Sequence, residues 1–139
     1  AGIILLQNDF HSIRMEMAVE NDVKMIRVVK GYASLESSLT YKDNMENFHK
    51  ERCGSIPWEK EEAVLGIEAE GQKISMYVKD EEEKKYIARD EDGGLLGSET
   101  SGGFLGTYVG MFASGNGKEY QQYAAFDWFC YKGISCESR

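Results

Sequence analysis

Side chains able to act as nucleophile, base or metal ligand are scarce in this sequence, which has two histidines, His11 and His49, and three cysteines, Cys53, Cys130 and Cys136. A hydrolytic triad needs an imidazole held between a nucleophile and an orienting carboxylate. There is no G-x-S-x-G elbow, no H-E-x-x-H pair, no Walker loop and no G-x-G-x-x-G turn to support such chemistry. His11 falls on the polar side of an alternating stretch and His49 in a polar one, so both are expected at the surface. The cysteines share no zinc-type spacing and do not form a disulfide framework. Reduced thiols and a reducing, cytoplasmic setting are the expectation.

Carboxylates are plentiful, with 24 Asp and Glu. Hydrolysis of a glycosidic bond needs two of them in unlike environments, one protonated and the other charged across the scissile bond. The runs Glu59 to Glu62 and Asp80 to Glu83 sit in turn-like stretches, where carboxylates stay hydrated, and no catalytic residue is assigned. Asp127 differs, because it interrupts the apolar run Phe126-Asp127-Trp128-Phe129. Facing inward, it would need hydrogen-bond donors or a cation, for which a structural calcium ion is the fitting class. Facing outward, it is a polar position on an alternating strand. A structural role is the reading for Asp127 and its neighbour Trp128, with no catalytic metal or organic cofactor. Among the aromatics, most belong in a core, while Trp58 and Phe104 lie beside loops where a ring could stack on a sugar.

The elements that would carry these residues follow from alternation of apolar with polar side chains. His11 to Glu20 alternates and would bury Ile13, Met15, Met17 and Val19. Glu20-Asn21-Asp22 is a turn signal, and Val23 to Lys30 completes a hairpin. Ala63 to Ala69 and Ile74 to Val78 form a second hairpin, ending in the acidic tip, with a short strand at Tyr86 to Ala88. Phe104 to Ala113 and Tyr123 to Tyr131 read as central strands. Between Leu39 and Glu62 the alternation fails, which predicts a long loop with at most an edge strand. A helix over Tyr41 to Arg52 is the competing reading. Many short strands with Gly-containing turns and no sustained helical period predict an all-β, two-sheet antiparallel sandwich over residues 1–139.

With 139 residues, 42% hydrophobic and 29% charged, the chain has the size and composition of one folded domain. Its net charge of −8 disfavours phosphate backbones and anionic membranes as partners. No apolar run approaches the roughly 20 residues that cross a bilayer.

Three segments carry a family likeness. Gly103-Phe104-Leu105-Gly106-Thr107-Tyr108-Val109-Gly110-Met111-Phe112-Ala113-Ser114 and Ala125-Phe126-Asp127-Trp128-Phe129-Cys130-Tyr131 resemble the G-F-x-G-x-x-x-G-x-x-A-x segment and the A-D-F-D-[WY]-F-x-Y closing strand of the C-terminal domain of glycoside hydrolase family 43. The opening Ala1-Gly2-Ile3-Ile4-Leu5-Leu6-Gln7-Asn8 is similar to that family's A-G-[LI]-x-L-x-Q-[ND] strand. The resemblance implies a concanavalin A-like jelly roll, packed against a five-bladed propeller that holds the catalytic acids of β-xylosidases and α-L-arabinofuranosidases. It implies an accessory, non-catalytic role at the rim of the active site in plant polysaccharide breakdown, with Phe104 the match for the aromatic offered to the bound oligosaccharide. Ala125 stands where the closing strand usually has its first Asp. The family's domain also has strands ahead of A-G-[LI], so an open edge and an exposed apolar face are expected here, to be met by a docking polypeptide, by a second copy or by a rearranged fold. The alternative function is a stand-alone lectin-like carbohydrate-binding module.

Overall fold

The computed structural model describes residues 1–33, 48–93, 107–115 and 124–133. Their regular elements are all strands: β1 (Gly2–Asn8), β2 (His11–Glu20), β3 (Val23–Tyr32), β4 (His49–Pro57), β5 (Val64–Glu70), β6 (Lys73–Asp80), β7 (Glu83–Asp92) and β8 (Tyr108–Phe112). One antiparallel sheet has the order β4-β3-β2-β1-β8 and the other β5-β6-β7.

The turns explain the tight hairpins. Asn21 and Asp22 take φ of 50° and 63°, the left-handed pair that a two-residue hairpin needs and that Asn and Asp tolerate best. This pins β2 to β3 from Glu20↔Val23 through Ser12↔Gly31. Gly71, at φ 60°, turns β5 into β6. At the acidic tip Glu81 and Glu82 occupy the same left-handed region, where a Cβ is a cost.

Period two sends alternate side chains to one face. Ile13 and Met15 of β2 and Ile26 and Val28 of β3 are fully buried, and Leu5 of β1 joins them. From the other sheet Ile74, Met76 and Val78 of β6 and Ile87 and Ala88 of β7 close the same core. Two sheets sharing one apolar layer make this a sandwich. At Gly54 of β4 a Cβ would stand 2.1 Å from the carbonyl oxygen of Ile87, so glycine is what lets β4 and β7 approach.

Several expectations are corrected. Val19 is 67% exposed, because the narrower sheet does not reach the far end of β2. The strand expected over Tyr86 to Ala88 runs the ten residues of β7, since pairing with β6 extends regular backbone well past its apolar centre. β4 is an edge strand of nine residues, and its residues 49–52 are not helical: they pair with Val29 to Tyr32 of β3. Of the rest of the competing helix, Phe48 is in no regular element and 41–47 lie outside the described residues.

β8 is at the sheet edge rather than central, and residues 124–133 form no strand. Phe126, Trp128, Phe129 and Tyr131 are exposed there. An alternating segment becomes a strand only when a neighbour accepts its backbone hydrogen bonds, and none of the described residues does so for this one.

Candidate functional site

Of the two aromatics singled out for sugar contact, only Trp58 is among the described residues. Trp58, just after β4, is 5% exposed and part of the core, with its indole N–H donating to the Glu62 carbonyl at 3.1 Å. The Lys60 ammonium stands 5.3 Å from the ring centroid. In this chain Trp58 is a packing residue with its polar atom satisfied, and it presents no open ring face for stacking. Phe104 lies outside the described residues. Asp127 and Trp128 are both exposed, Trp128 at 62%.

His11 is buried, at 4% exposed, not at the surface. β1 and β2 shift register between Leu6 and Asn8, so His11 pairs with Asn8 rather than with Gln7. One ring nitrogen, Nδ1, lies 2.9 Å from Asn8 Oδ1, and that same oxygen accepts the Phe10 N–H. Nε2 is buried without a hydrogen-bond partner among the described residues. Burial pulls the imidazole below its ordinary pKa, against the opposing pull of the Ala33 backbone.

Charges gather on the outer face of the five-stranded sheet. Paired residues of neighbouring strands share a face, so Arg14 and Glu16 of β2 meet Arg27 of β3 on the side away from the core. Glu16 Oε1 accepts from Arg27 Nε at 2.8 Å and lies 3.3 Å from Arg14 Nε. Arg27 and Arg52 both hold Glu20, whose carboxyl is kept below its ordinary pKa by Arg52 first and Arg27 second. This ladder was missed in the sequence, although its signal was there: once Asn21-Asp22 sets the register, Glu16 must face Arg27.

On the smaller sheet Glu68 accepts from Lys84 at 2.8 Å and from the Tyr86 hydroxyl at 2.9 Å, and the two lower its pKa in that order. Asp80 holds Lys60 at 2.6 Å and Lys85 at 2.9 Å and is lowered by them likewise. Glu68 and, within the acidic runs, Asp80 are thus carboxylates held by lysines.

Across the sandwich, Lys30 of β3 donates to Glu91 Oε2 of β7 at 2.9 Å, with the lysine side chain 9% exposed. Burial works against the ammonium, but Glu91 outweighs it and the net displacement is upward. Beside this pair the half-buried Cys53 thiol is pushed up by burial and then by Glu91. Cys53 and Cys130 are free thiols, and among the described residues no three His, Cys, Asp or Glu side chains gather to hold a metal ion.

The two sheets, the outer charge ladder and the cross-sheet ion pair define a β-sandwich that has no assembled catalytic or metal-binding set among the described residues. Residues 1–132 match the family described as the beta xylosidase C-terminal concanavalin A-like domain, and the chain belongs to that family. Solved structures similar in fold include a GH43_12 protein retrieved from capybara gut metagenome, at 23% identity and TM-score 0.65, covering 79% of this chain and 19% of that one. A mutant of the GH43 protein BlXynB from Bacillus licheniformis is similar at 22% identity and TM-score 0.65, covering 84% of this chain and 21% of that one. The chain therefore spans about a fifth of the length of these structures. No curated protein matches it.

Proposed function

We propose that residues 1–139 form one accessory sandwich of a family 43 glycoside hydrolase, acting on xylan- or arabinan-derived oligosaccharide, in which a linked five-bladed propeller supplies the catalytic acids. The observation that carries this reading is membership of the C-terminal domain family over residues 1–132. The ion pairs of Glu68 and Asp80 support it, since both carboxylates are tied to lysines rather than set apart as acid and base. In this reading the stretch around Phe104 shapes the rim of the propeller's pocket, and Phe104 stacks on the bound sugar. The sandwich contributes binding and shape and transfers no proton.

The purified chain is expected to leave aryl β-xylosides and aryl α-L-arabinofuranosides intact; turnover that follows the chain through purification would overturn the reading. In an intact parent enzyme Phe104→Ala is expected to raise KM with little change in kcat, as loss of a contact made equally to substrate and transition state requires. Unchanged kinetics would remove Phe104 from the site. The lectin-like alternative draws on the exposed rings of Trp128 and Tyr131. It is tested by calorimetric titration of the chain with xylo- and arabino-oligosaccharides, where an absence of heat rejects it.

A further inference from the structure

β1 ends on an irregularity. Its pairing with β2 runs evenly from Gly2↔Glu16 to Leu6↔Ser12 and then jumps to Asn8↔His11, which leaves Gln7 as the extra residue of a bulge. A bulge bends its strand and re-aims the side chain at that point, and bulges recur beside functional sites. Ile3 and Leu5 of the same strand face the core, and Gln7 follows them into the interior at 2% exposed. Burying an amide costs free energy unless its polar atoms are bonded, a cost that an apolar residue here would avoid.

The amide reaches the entry to β8. Thr107 Oγ1 donates to Gln7 Oε1 at 3.3 Å, between residues one hundred positions apart. Backbone pairing of β1 with β8 runs from Gly2↔Phe112 to Leu6↔Tyr108, so this bond ties the residue just ahead of the ladder. Gln7 is fixed by packing, while Thr107 is exposed. An anchor whose own rotamer is locked by burial holds its partner at a set point.

Thr107 is the described residue nearest in sequence to Phe104, three positions on. Three residues of chain span at most about 11 Å, so the place of Thr107 bounds the place of Phe104.

We propose that Gln7 and Thr107 are positioning residues for the aromatic at the pocket rim: the buried amide fixes the point at which the chain enters β8, and with it the place of Phe104 against the bound oligosaccharide. This rests on Phe104 stacking on the sugar. Gln7 and Thr107 do not touch substrate and act through Phe104.

The test is steady-state kinetics of the intact parent enzyme on xylo- and arabino-oligosaccharides, with urea unfolding of the same variants. Thr107→Val keeps the side-chain shape and removes the hydroxyl, so KM should rise about threefold to tenfold, the size of one hydrogen bond, with little change in kcat. Thr107→Ser keeps the hydroxyl and should keep the parent KM. Gln7→Met fills the buried volume without the oxygen and should match Thr107→Val. In a Phe104→Ala background neither change should raise KM further, because the ring they place is gone. A merely structural bond would lower the urea midpoint of Thr107→Val and leave KM at the parent value, which overturns the proposal. So do a KM raised equally in Thr107→Ser and effects that add to Phe104→Ala. If Gln7→Met does not fold, Thr107→Val, at an exposed position, decides the question. A raised KM in Phe104→Ala with a parental KM in Thr107→Val refutes the positioning alone; an unchanged KM in Phe104→Ala refutes the sugar contact itself, and the positioning with it.

Discussion

Replacing Glu91 with Gln keeps an oxygen acceptor near Lys30 but removes the negative charge from a pair that bridges the two sheets. The ammonium is then left on a side chain only 9% exposed, while the Glu91 position is 29% exposed. Breaking a fully buried pair costs about 3 to 5 kcal/mol, and a surface pair is worth about 0 to 1 kcal/mol. With one partner buried and the other partly hydrated, Glu91→Gln should cost about 2 kcal/mol. In a domain of this size each kcal/mol moves the thermal midpoint by roughly 3 to 5 °C, so a fall of about 6 to 10 °C is expected alongside an earlier urea midpoint. Because the cost comes from a stranded charge, Lys30→Met with Glu91→Leu should recover to within about 1 kcal/mol of the parent. Equilibrium urea unfolding of parent, single and double variants measures both quantities. A single variant within about 0.5 kcal/mol of the parent, or a double variant no more stable than the single, would refute the view that Lys30 is held by Glu91 inside the sandwich.

Three further outcomes follow from the structure. His11 has its folded-state pKa below the ordinary 6.5, so the unfolded chain takes up the proton first. Stability is full above about pH 6.5 and falls as pH drops from there through the folded pKa. Urea midpoints between pH 8 and pH 5, where carboxylates such as Glu20 and Asp80 remain charged, should decline more for the parent than for His11→Gln; equal declines would exclude His11 as the source. Gly54→Ala drives a methyl against the Ile87 carbonyl, a backbone atom that cannot swing aside, and should cost about 3 kcal/mol or prevent folding; an unchanged urea midpoint would show that the sheets do not meet there. The two tryptophans should separate in acrylamide quenching. Trp128→Phe is expected to leave a blue-shifted, poorly quenched emission from Trp58, and Trp58→Phe a red-shifted, readily quenched one from Trp128.

Much of the architecture was legible without coordinates, because the signals are local. Asn21-Asp22 can turn a chain in two residues, and alternation from Ile13 to Met17 can satisfy only a strand with one buried face. Those two facts also carry the register, and with it the pairing of Glu16 with Arg27. The family likeness at Ala1 to Asn8 and from Gly103 to Tyr131 is equally a property of residue order. Neighbours in space are another matter. Nothing local says that His11 is buried, that Trp58 turns its ring into the core, or that Lys30 finds Glu91 sixty-one positions away.

The segments richest in strand-forming residues show the limit most clearly. Phe104 to Ala113 and Tyr123 to Tyr131 read as central, but among the described residues β8 lies at an edge and 124–133 form no strand. Alternation states what each side chain prefers, whereas a strand's place in a sheet depends on which backbone lies beside it. The sequence by itself thus determined an all-β sandwich, its hairpins and its family. Tertiary structure alone decided which side chains are buried and which strands lie side by side, because burial and pairing are relations between segments far apart in the chain.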